Sequence, residues 1–397
     1  MDTKNPIGRA GAQSIVGLFG IALVAIAVRA DDSWVRSHVV LPNWFLPPVT
    51  LRGFHAARVA GVLLGLLLLV VLGPKVGRWA GAQPWPQLFG SAARIALALA
   101  LALVTAELMV RRWDSREPVW RKGKLEFRIG RPDPRLGWVL VPSRATLLKN
   151  GRAKAVHYRI DAWGDRARSE AASPDPSLPT LIVSGESIAF GHALEYEETF
   201  AAILGDRLDV QVVNVGVGGY GSDQAYLRFV DALARLDKPV AVLTVFLPVQ
   251  LGRDLQDYRP RLVLCNGELE QVPAASGLWS HTRLRDLLFN ELPYVSDASL
   301  SRTMALNKAI VQATTRASRA RGAEPLFIIP SFGQPRTLAE HPEAFIVREL
   351  FQEQNLPYLL IDIDPARLII DEWHPDVIAA RQIADEVERA LRPRLAR

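Results

Sequence analysis

One cysteine, three methionines and seven histidines in 397 residues leave little material for thiol or soft-metal chemistry. Cys265 alone excludes an intrachain disulfide and a Cys-based zinc site, and no motif around it supports a nucleophile. The His, Asp and Glu residues show no ligand spacing, so neither a metal nor another cofactor is expected. Internal repeats are missing as well. The basic excess of +6 is not spread over the chain: residues 1–128 carry 16 Lys and Arg against 7 Asp and Glu, whereas the remainder carries 31 against 34. No basic field is left for nucleic acid, and the positive charge reads as headgroup and topology charge beside a lipid bilayer.

Apolar residues are plentiful, at 49% of the chain, and they are concentrated. Ala10–Val28, Val59–Gly73 and Ile95–Val110 form three apolar stretches before Trp113. The second reads VAGVLLGLLLLVVLG without a charge, and none shows an amphipathic stripe. With flanking small residues each reaches the roughly 20 residues of a bilayer span, so three membrane helices are expected rather than three core helices. No small-residue cleavage site follows the first, which argues against a removable signal peptide. Glu107 lies near the end of the third stretch and can reach the interface.

The composition divides the chain into a membrane region (1–112), a polar extension with short strands such as HYRID (113–178), and a third region (179–397). In this last region apolar runs alternate with amphipathic segments: TLIVSG then EETFAAILGDRL, VQVVNVG then DQAYLRFVDALARL, VAVLTVFL, PLFIIP and YLLIDID, closing on HPDVIAARQIADEVERAL. Repeated strand–helix alternation predicts an α/β domain, a parallel sheet with helices on both faces, whose ligands bind at the carboxyl ends of the strands.

The candidate chemistry falls at those ends. The first strand runs into GESIAFG, which puts Ser187 in a turn before a helix. A serine there serves as a helix cap or as a nucleophile beside free backbone N–H groups. After the last strand, Asp371 precedes His374 by three residues, a spacing at which the carboxylate can fix the imidazole tautomer. A cap and a surface histidine are the alternative. A sheet wound from its middle brings these two ends together.

These blocks resemble the SGNH (GDSL-like) hydrolase superfamily, whose fold is a flavodoxin-like parallel sheet. GES stands where that family has Gly-Asp-Ser, so Ser187 matches the nucleophile and Glu186 replaces the aspartate. NVGVGGYGSDQ matches Asn-x-Gly-x-x-Gly and makes Gly219 the implied backbone oxyanion donor, and DEWHP matches at Asp371 and His374. The third block departs: LPVQLGRD replaces Gly-x-Asn-Asp, leaving Gln250 as the nearest amide donor and Arg253 as a charged substitute. The extension is similar to one found ahead of such domains in envelope proteins, with pieces at Asp133–Trp138 and Asp161–Arg166. Arg166 is read as a substrate contact or as a structural partner of a carboxylate. Tyr220, Trp373 and Trp138 are read as a sugar-stacking platform or as core.

The resemblance implies a membrane-anchored serine esterase that removes or transfers an O-acyl (acetyl) group on an envelope glycan or glycolipid. It acts with Ser187, His374 and Asp371, with Gly219 and Gln250 at the oxyanion and no cofactor. The alternative is a non-catalytic carbohydrate-binding or scaffolding component working with other envelope polysaccharide proteins. The expected location is a bacterial-type inner membrane, multi-pass, with Met1 cytoplasmic and Ser187 periplasmic. The Lys and Arg distribution opposes that orientation, and the envelope substrate favours it.

Overall fold

The computed structural model describes residues 5–35, 38–39, 48–113, 129–149, 154–276, 282–286, 295–332, 344–369 and 374–395. The chain divides into two compact units. One holds residues 1–40, 44–116 and 281–293, and the other holds 41–43, 117–280 and 294–397.

The first unit contains α1 (Pro6–Arg29), α2 (Pro48–Leu67), which continues through a π-turn at Leu68–Leu72 into α3 (Gly73–Gly81), and α4 (Trp85–Trp113). Among the described residues, three helices are long and apolar enough to cross a membrane: Pro6–Arg29, Gly53–Gly81 and Trp85–Arg112. Each runs beyond its apolar stretch, because the flanking alanine, leucine and basic residues are good helix formers. Pro6 starts α1, and the Asn5 side chain accepts from Gly8 N–H at 2.8 Å.

Glycines seat α1 against the second span. A β-carbon on Gly65 would lie 2.7 Å from the Gly20 carbonyl oxygen, and one on Gly77 would lie 2.9 Å from Gln13 Cβ. One on Gly81 would lie 2.9 Å from Arg9 Cβ. Lipid offers no hydrophobic drive between helices, so this close backbone approach is what packs them. Within the same unit, the Glu107 carboxylate accepts from the backbone N–H groups of Arg283 and Leu284 at 2.9 and 2.8 Å and from Arg111 at 2.5 Å.

The second unit opens with two antiparallel hairpins, β1 (Gly130–Asp133) with β2 (Gly137–Leu140), and β3 (Arg144–Lys149) with β4 (Ala155–Ile160). Asp133 closes the first turn by accepting from Arg135 and Leu136 N–H. There follow β5 (Thr180–Ser184), α5 (Ser187–Phe190), α6 (Phe200–Leu208), β6 (Gln211–Asn214), α7 (Ser222–Ala234), β7 (Pro239–Val245) and α8 (Val249–Arg253). A hairpin of β8 (Arg261–Cys265) and β9 (Glu268–Val272) comes next, then α9 (Asp297–Ala320), β10 (Glu324–Phe332), α10 (Ala344–Val347), β11 (Tyr358–Ile363) and α11 (Val377–Leu395).

The five parallel strands stand in the order β11-β10-β7-β5-β6. Numbered by sequence among themselves this is 2-1-3-4-5 read from β6, the flavodoxin-like order. After β6 the chain crosses back over β5 to build β7, and right-handed crossovers then put α7 and α9 on one face and α6 and α11 on the other. The switch point lies between β5 and β7, the place where such sheets open a ligand crevice. β5 is buried along its whole length, as its TLIVS run requires. Ile182, Val213, Phe229 and Val242 pack one cluster, and Phe246, Phe327, Phe351 and Val311 pack another.

The glycine contacts are testable by disulfide trapping. A β-carbon on Gly61 would lie 3.3 Å from Ala27 Cβ, near the roughly 3.5–4.5 Å separation a disulfide uses. In a Cys265→Ser background, Ala27→Cys with Gly61→Cys should cross-link within the chain on oxidation, and adding Gly65→Leu should abolish the cross-link. Unchanged cross-linking with the leucine in place would mean that the glycine is not what holds the helices together.

Candidate active site

Ser187 is the first helical residue after β5, and the turn that carries it has no room for a side chain at Gly185. That residue has φ of 142°, and a β-carbon there would lie 2.9 Å from the Val245 carbonyl oxygen. Glu186 caps the short helix, its Oε1 accepting from Ile188 N–H at 2.9 Å. The histidine arrives from the far end of the domain. Ile369 N–H donates to His374 O at 2.8 Å and Leu368 bridges Pro375, which pins the backbone, and the imidazole Nε2 stands 2.8 Å from Ser187 Oγ. Asp376 caps α11, accepting from Ile378 and Ala379 N–H at 2.9 Å each. Asp371 and Trp373 lie outside the described residues.

The loop after β6 is fixed from below. Asn214 is fully buried; its Nδ2 donates to Ala189 O at 2.7 Å and its Oδ1 accepts from Gly216 N–H at 3.0 Å. A β-carbon on Gly216 would lie 2.6 Å from Phe190 N, so the loop rests directly on the helix that carries Ser187. Gly219 takes φ of 77° near the tip of this loop, supported by Trp138, whose indole N–H donates to Gly218 O at 3.3 Å. Tyr220 points away from the crevice. It is fully buried, donates its hydroxyl to Trp138 O at 2.6 Å and meets the Trp138 ring edge-on at 5.5 Å. Tyr220 and Trp138 are therefore core, not a stacking platform, because a ring with no exposed face cannot meet a sugar.

Two further expectations need correction. Arg166 is 1% exposed, and among the described residues it pairs with no carboxylate. Its guanidinium donates to His157 O and Leu194 O at 3.1 Å each and lies 4.6 Å from the Tyr158 ring centre, while its backbone bridges β4 to β6. Burial lowers it to about 10, so it stays charged at neutral pH. Gln250 is turned into the interior: its Oε1 accepts from Leu247 N–H at 2.9 Å, and its side chain lines a small closed space with Ser184, Ser222 and Thr244. One methylene longer than asparagine, it folds back to cap its own turn. The side chain that the third block sends toward the site is Arg253. Its Nη1 donates to Tyr220 O at 3.1 Å and lies 3.8 Å from Glu186 Oε2.

His192 was not among the expected residues. It is buried and stacks on His374 with ring centres 4.2 Å apart, and its backbone N–H donates to Ser187 O at 3.0 Å. Behind the site, Asp254 accepts from Ser222 Oγ at 2.6 Å and Asn307 Nδ2 at 2.8 Å, while Arg259 grips Asp223 with two bonds at 2.8 and 3.0 Å. This network joins the start of α7 and the middle of α9 to the end of α8. Two carboxylates share one guanidinium there, and burial, then the Asp223 charge, push Asp254 up to about 7.

No family model and no curated protein matches the chain. Among solved structures it is similar to a member of the lipolytic G-D-S-L family from Veillonella parvula, at 13% identity over 54% of this chain and 98% of that one, with a TM-score of 0.30. It is also similar to a family two carbohydrate esterase from Clostridium thermocellum in complex with cellohexaose, at 12% identity over 57% of this chain and 67% of that one, with a TM-score of 0.34. A third is an acetyl xylan esterase from the rumen bacterium Butyrivibrio proteoclasticus, at 12% identity and a TM-score of 0.32. There 56% of this chain spans 65% of the other.

A folded-state pKa above the ordinary 3.8 means that Asp254 binds its proton more tightly folded than unfolded, so its contribution is complete below about 3.8 and is lost as pH rises to about 7. The stability of the wild type relative to Asp254→Asn should therefore fall as pH is raised from about 4 to about 7 and level off above. Melting curves of both proteins across that range test this, and a difference independent of pH would contradict it.

Proposed function

We propose that the chain is a membrane-anchored serine ester hydrolase. The observation that carries this reading is the 2.8 Å contact between Ser187 Oγ and His374 Nε2 at the switch point of the sheet. Ser187 attacks the ester carbonyl; His374 takes the serine proton and returns it to the leaving alcohol. Asp371, three residues before His374, holds the imidazole in the tautomer that leaves Nε2 free to accept. The backbone N–H groups of Ser187 and Gly219 receive the developing oxyanion. Gln250 has no part in this, and Arg253 fixes the Gly219–Tyr220 loop through the Tyr220 carbonyl. If an acceptor hydroxyl replaces water in resolving the acyl-enzyme, the same residues transfer the group.

The substrate class proposed is an O-acyl (acetyl) group on an envelope glycan or glycolipid. Three apolar helices on the same chain as the site support it, because a bilayer anchor confines the enzyme to substrates made at or near that surface. The proposed orientation places Met1 in the cytoplasm and Ser187 in the periplasm, in a multi-pass inner-membrane protein. One observation favours a second reading, a non-catalytic carbohydrate-binding component of polysaccharide assembly: the third block supplies no carboxamide to the oxyanion, a donor whose loss costs about 2.7–4 kcal/mol of transition-state stabilisation elsewhere.

A fluorophosphonate probe separates the two, since only an activated serine reacts. Wild-type protein should label at Ser187. Ser187→Ala should not label, and His374→Ala should lower both labelling and turnover of an aryl acetate by about 10²–10⁴-fold. The double mutant should be no worse than Ser187→Ala, because the two act as a unit. Absence of labelling in the wild type would favour the binding component. For orientation, alkaline phosphatase fused after Arg128 should be active, and fluorescence from a cytoplasm-only reporter at that position would remove the periplasmic substrate.

A further inference from the structure

The arginines enclosed in the second unit have their donors engaged. Arg259 donates to both Asp223 oxygens, to Pro260 O and to Arg253 O. Arg166 gives Nη1 and Nη2 to the carbonyl oxygens of His157 and Leu194, and Arg228 gives Nη2 to Gly164 O and to Asp165. Arg253 differs. Its Nη1 donates to Tyr220 O at 3.1 Å, and no other described residue takes a hydrogen bond from its guanidinium. The neighbouring carboxylate oxygen, Glu186 Oε2, stands 3.8 Å from Nη1, an ion pair without a hydrogen bond. Both Glu186 oxygens are engaged elsewhere, Oε1 with Ile188 N–H and Oε2 with Ser187 Oγ.

Place decides what the open donors can meet. Glu186 follows β5, Tyr220 lies in the loop after β6 and Arg253 ends α8 after β7, so the guanidinium stands among the three loops at the switch-point crevice. Its side chain is 19% exposed, against 2% for Arg259, so solvent and solutes reach it. The backbone beneath is fixed, because Arg259 donates to Arg253 O at 2.9 Å while locked onto Asp223. A held stem with an open guanidinium edge is preorganised for a group with two oxygens, a carboxylate or a phosphate. Glu186 offsets part of the charge without occupying the donors, and an anion bonded at about 2.7–2.9 Å outweighs a fixed carboxylate farther away.

We propose that Arg253 is a substrate-binding residue, and that the ester cleaved at Ser187 carries a carboxylate or phosphate group near its carbonyl, which the open edge of the guanidinium holds. The inference rests on the serine-hydrolase reading and narrows its substrate to anionic esters. A neutral acetyl ester offers the site one carbonyl oxygen, which the backbone N–H groups of Ser187 and Gly219 take, and it leaves the guanidinium edge unused. The role is separate from replacing the missing carboxamide. A donor to the oxyanion would serve every ester alike, whereas an anion contact serves only charged ones.

The experiment compares three esters in the full-length protein: phenyl acetate, phenyl hydrogen succinate, with a carboxylate on the acyl side, and meta-carboxyphenyl acetate, with one on the alcohol side. The readout is kcat/KM for each anionic ester divided by that for phenyl acetate, a ratio from which any general loss caused by disturbing the Tyr220 loop cancels. Arg253→Gln keeps a donor for Tyr220 O and removes the charge. It should lower the ratio by about tenfold or more for at least one anionic ester, mainly through KM. Arg253→Lys, which keeps the charge and loses the fork, should fall between. The ester that responds tells whether the anion belongs to the acyl group or to the alcohol. In the wild type the same ratio should fall several-fold as salt is raised from about 0.01 M to about 1 M, a reading that needs no variant. A ratio that Arg253→Gln or salt leaves unchanged overturns the proposal, and an equal loss on all three esters would make Arg253 a donor to the oxyanion instead. Wild-type protein that hydrolyses phenyl acetate and neither anionic ester overturns it as well. Wild-type protein that hydrolyses none of the three overturns the serine-hydrolase reading itself and this proposal with it.

Discussion

The contact between Ser187 and His374 joins residues 187 positions apart, and the chemistry proposed for the second unit depends on its being made. Closing so long a loop costs about 4–5 kcal/mol of chain entropy, whereas a hydrogen bond returns roughly 0.5–1.5 kcal/mol net. The bond cannot assemble the site; the sheet must deliver both ends already aligned. It does so through the order of β6-β5-β7-β10-β11, with β5 an interior strand buried along its whole length, and through the pinning of His374 and Pro375 by Ile369 and Leu368.

Stiffness around that contact comes from buried polar side chains that hydrogen-bond across elements. Asn214 ties the loop after β6 to the helix bearing Ser187, and Asp254 ties the start of α7 and the middle of α9 to the end of α8. Arg166 bridges the extension to β6 through its backbone, while its guanidinium is held by the carbonyl oxygens of His157 and Leu194 and by the Tyr158 ring. A charge so enclosed is costly to leave unpartnered, so removing one partner would cost more than the bond itself contributes.

The alternation of apolar runs and amphipathic segments was enough to read the parallel sheet, and length with composition was enough to read three long apolar helices. Both are one-dimensional signals. Side-chain direction is not. Gln250, Tyr220 and Arg166 have the chemistry of site residues and stand beside the motifs, yet each turns inward, and only the packing of Trp138, Tyr158 and Leu247 around them decides it. His192 carried no signal, because the turn at Gly191 is what brings its ring onto His374. The β8–β9 hairpin carries a local signal of its own: Asn266 and Gly267, with φ of 51° and 84°, form the Asn-Gly pair that two-residue hairpins prefer.

Gly61, Gly65, Gly73, Gly77 and Gly81 fall on one four-residue spacing, and in an uninterrupted α-helix such a row creeps around the axis by about 40° per step. Carried from Gly61 to Gly81 it would leave the face of α1 long before the end. The π-turn at Leu68–Leu72 sits in the middle of that row, where its slacker winding turns the helix back and returns Gly73, Gly77 and Gly81 to the side that Gly65 occupies. The turn is thus a phase correction. Winding those residues as regular α-helix, with none removed, would leave the hydropathy profile untouched and the segment as able as before to enter a bilayer, while rotating its lower half out of register with its partner by about 80–90°. Whether this segment can span a membrane and whether it can find its neighbour there are separate specifications, and the second is written in angle alone.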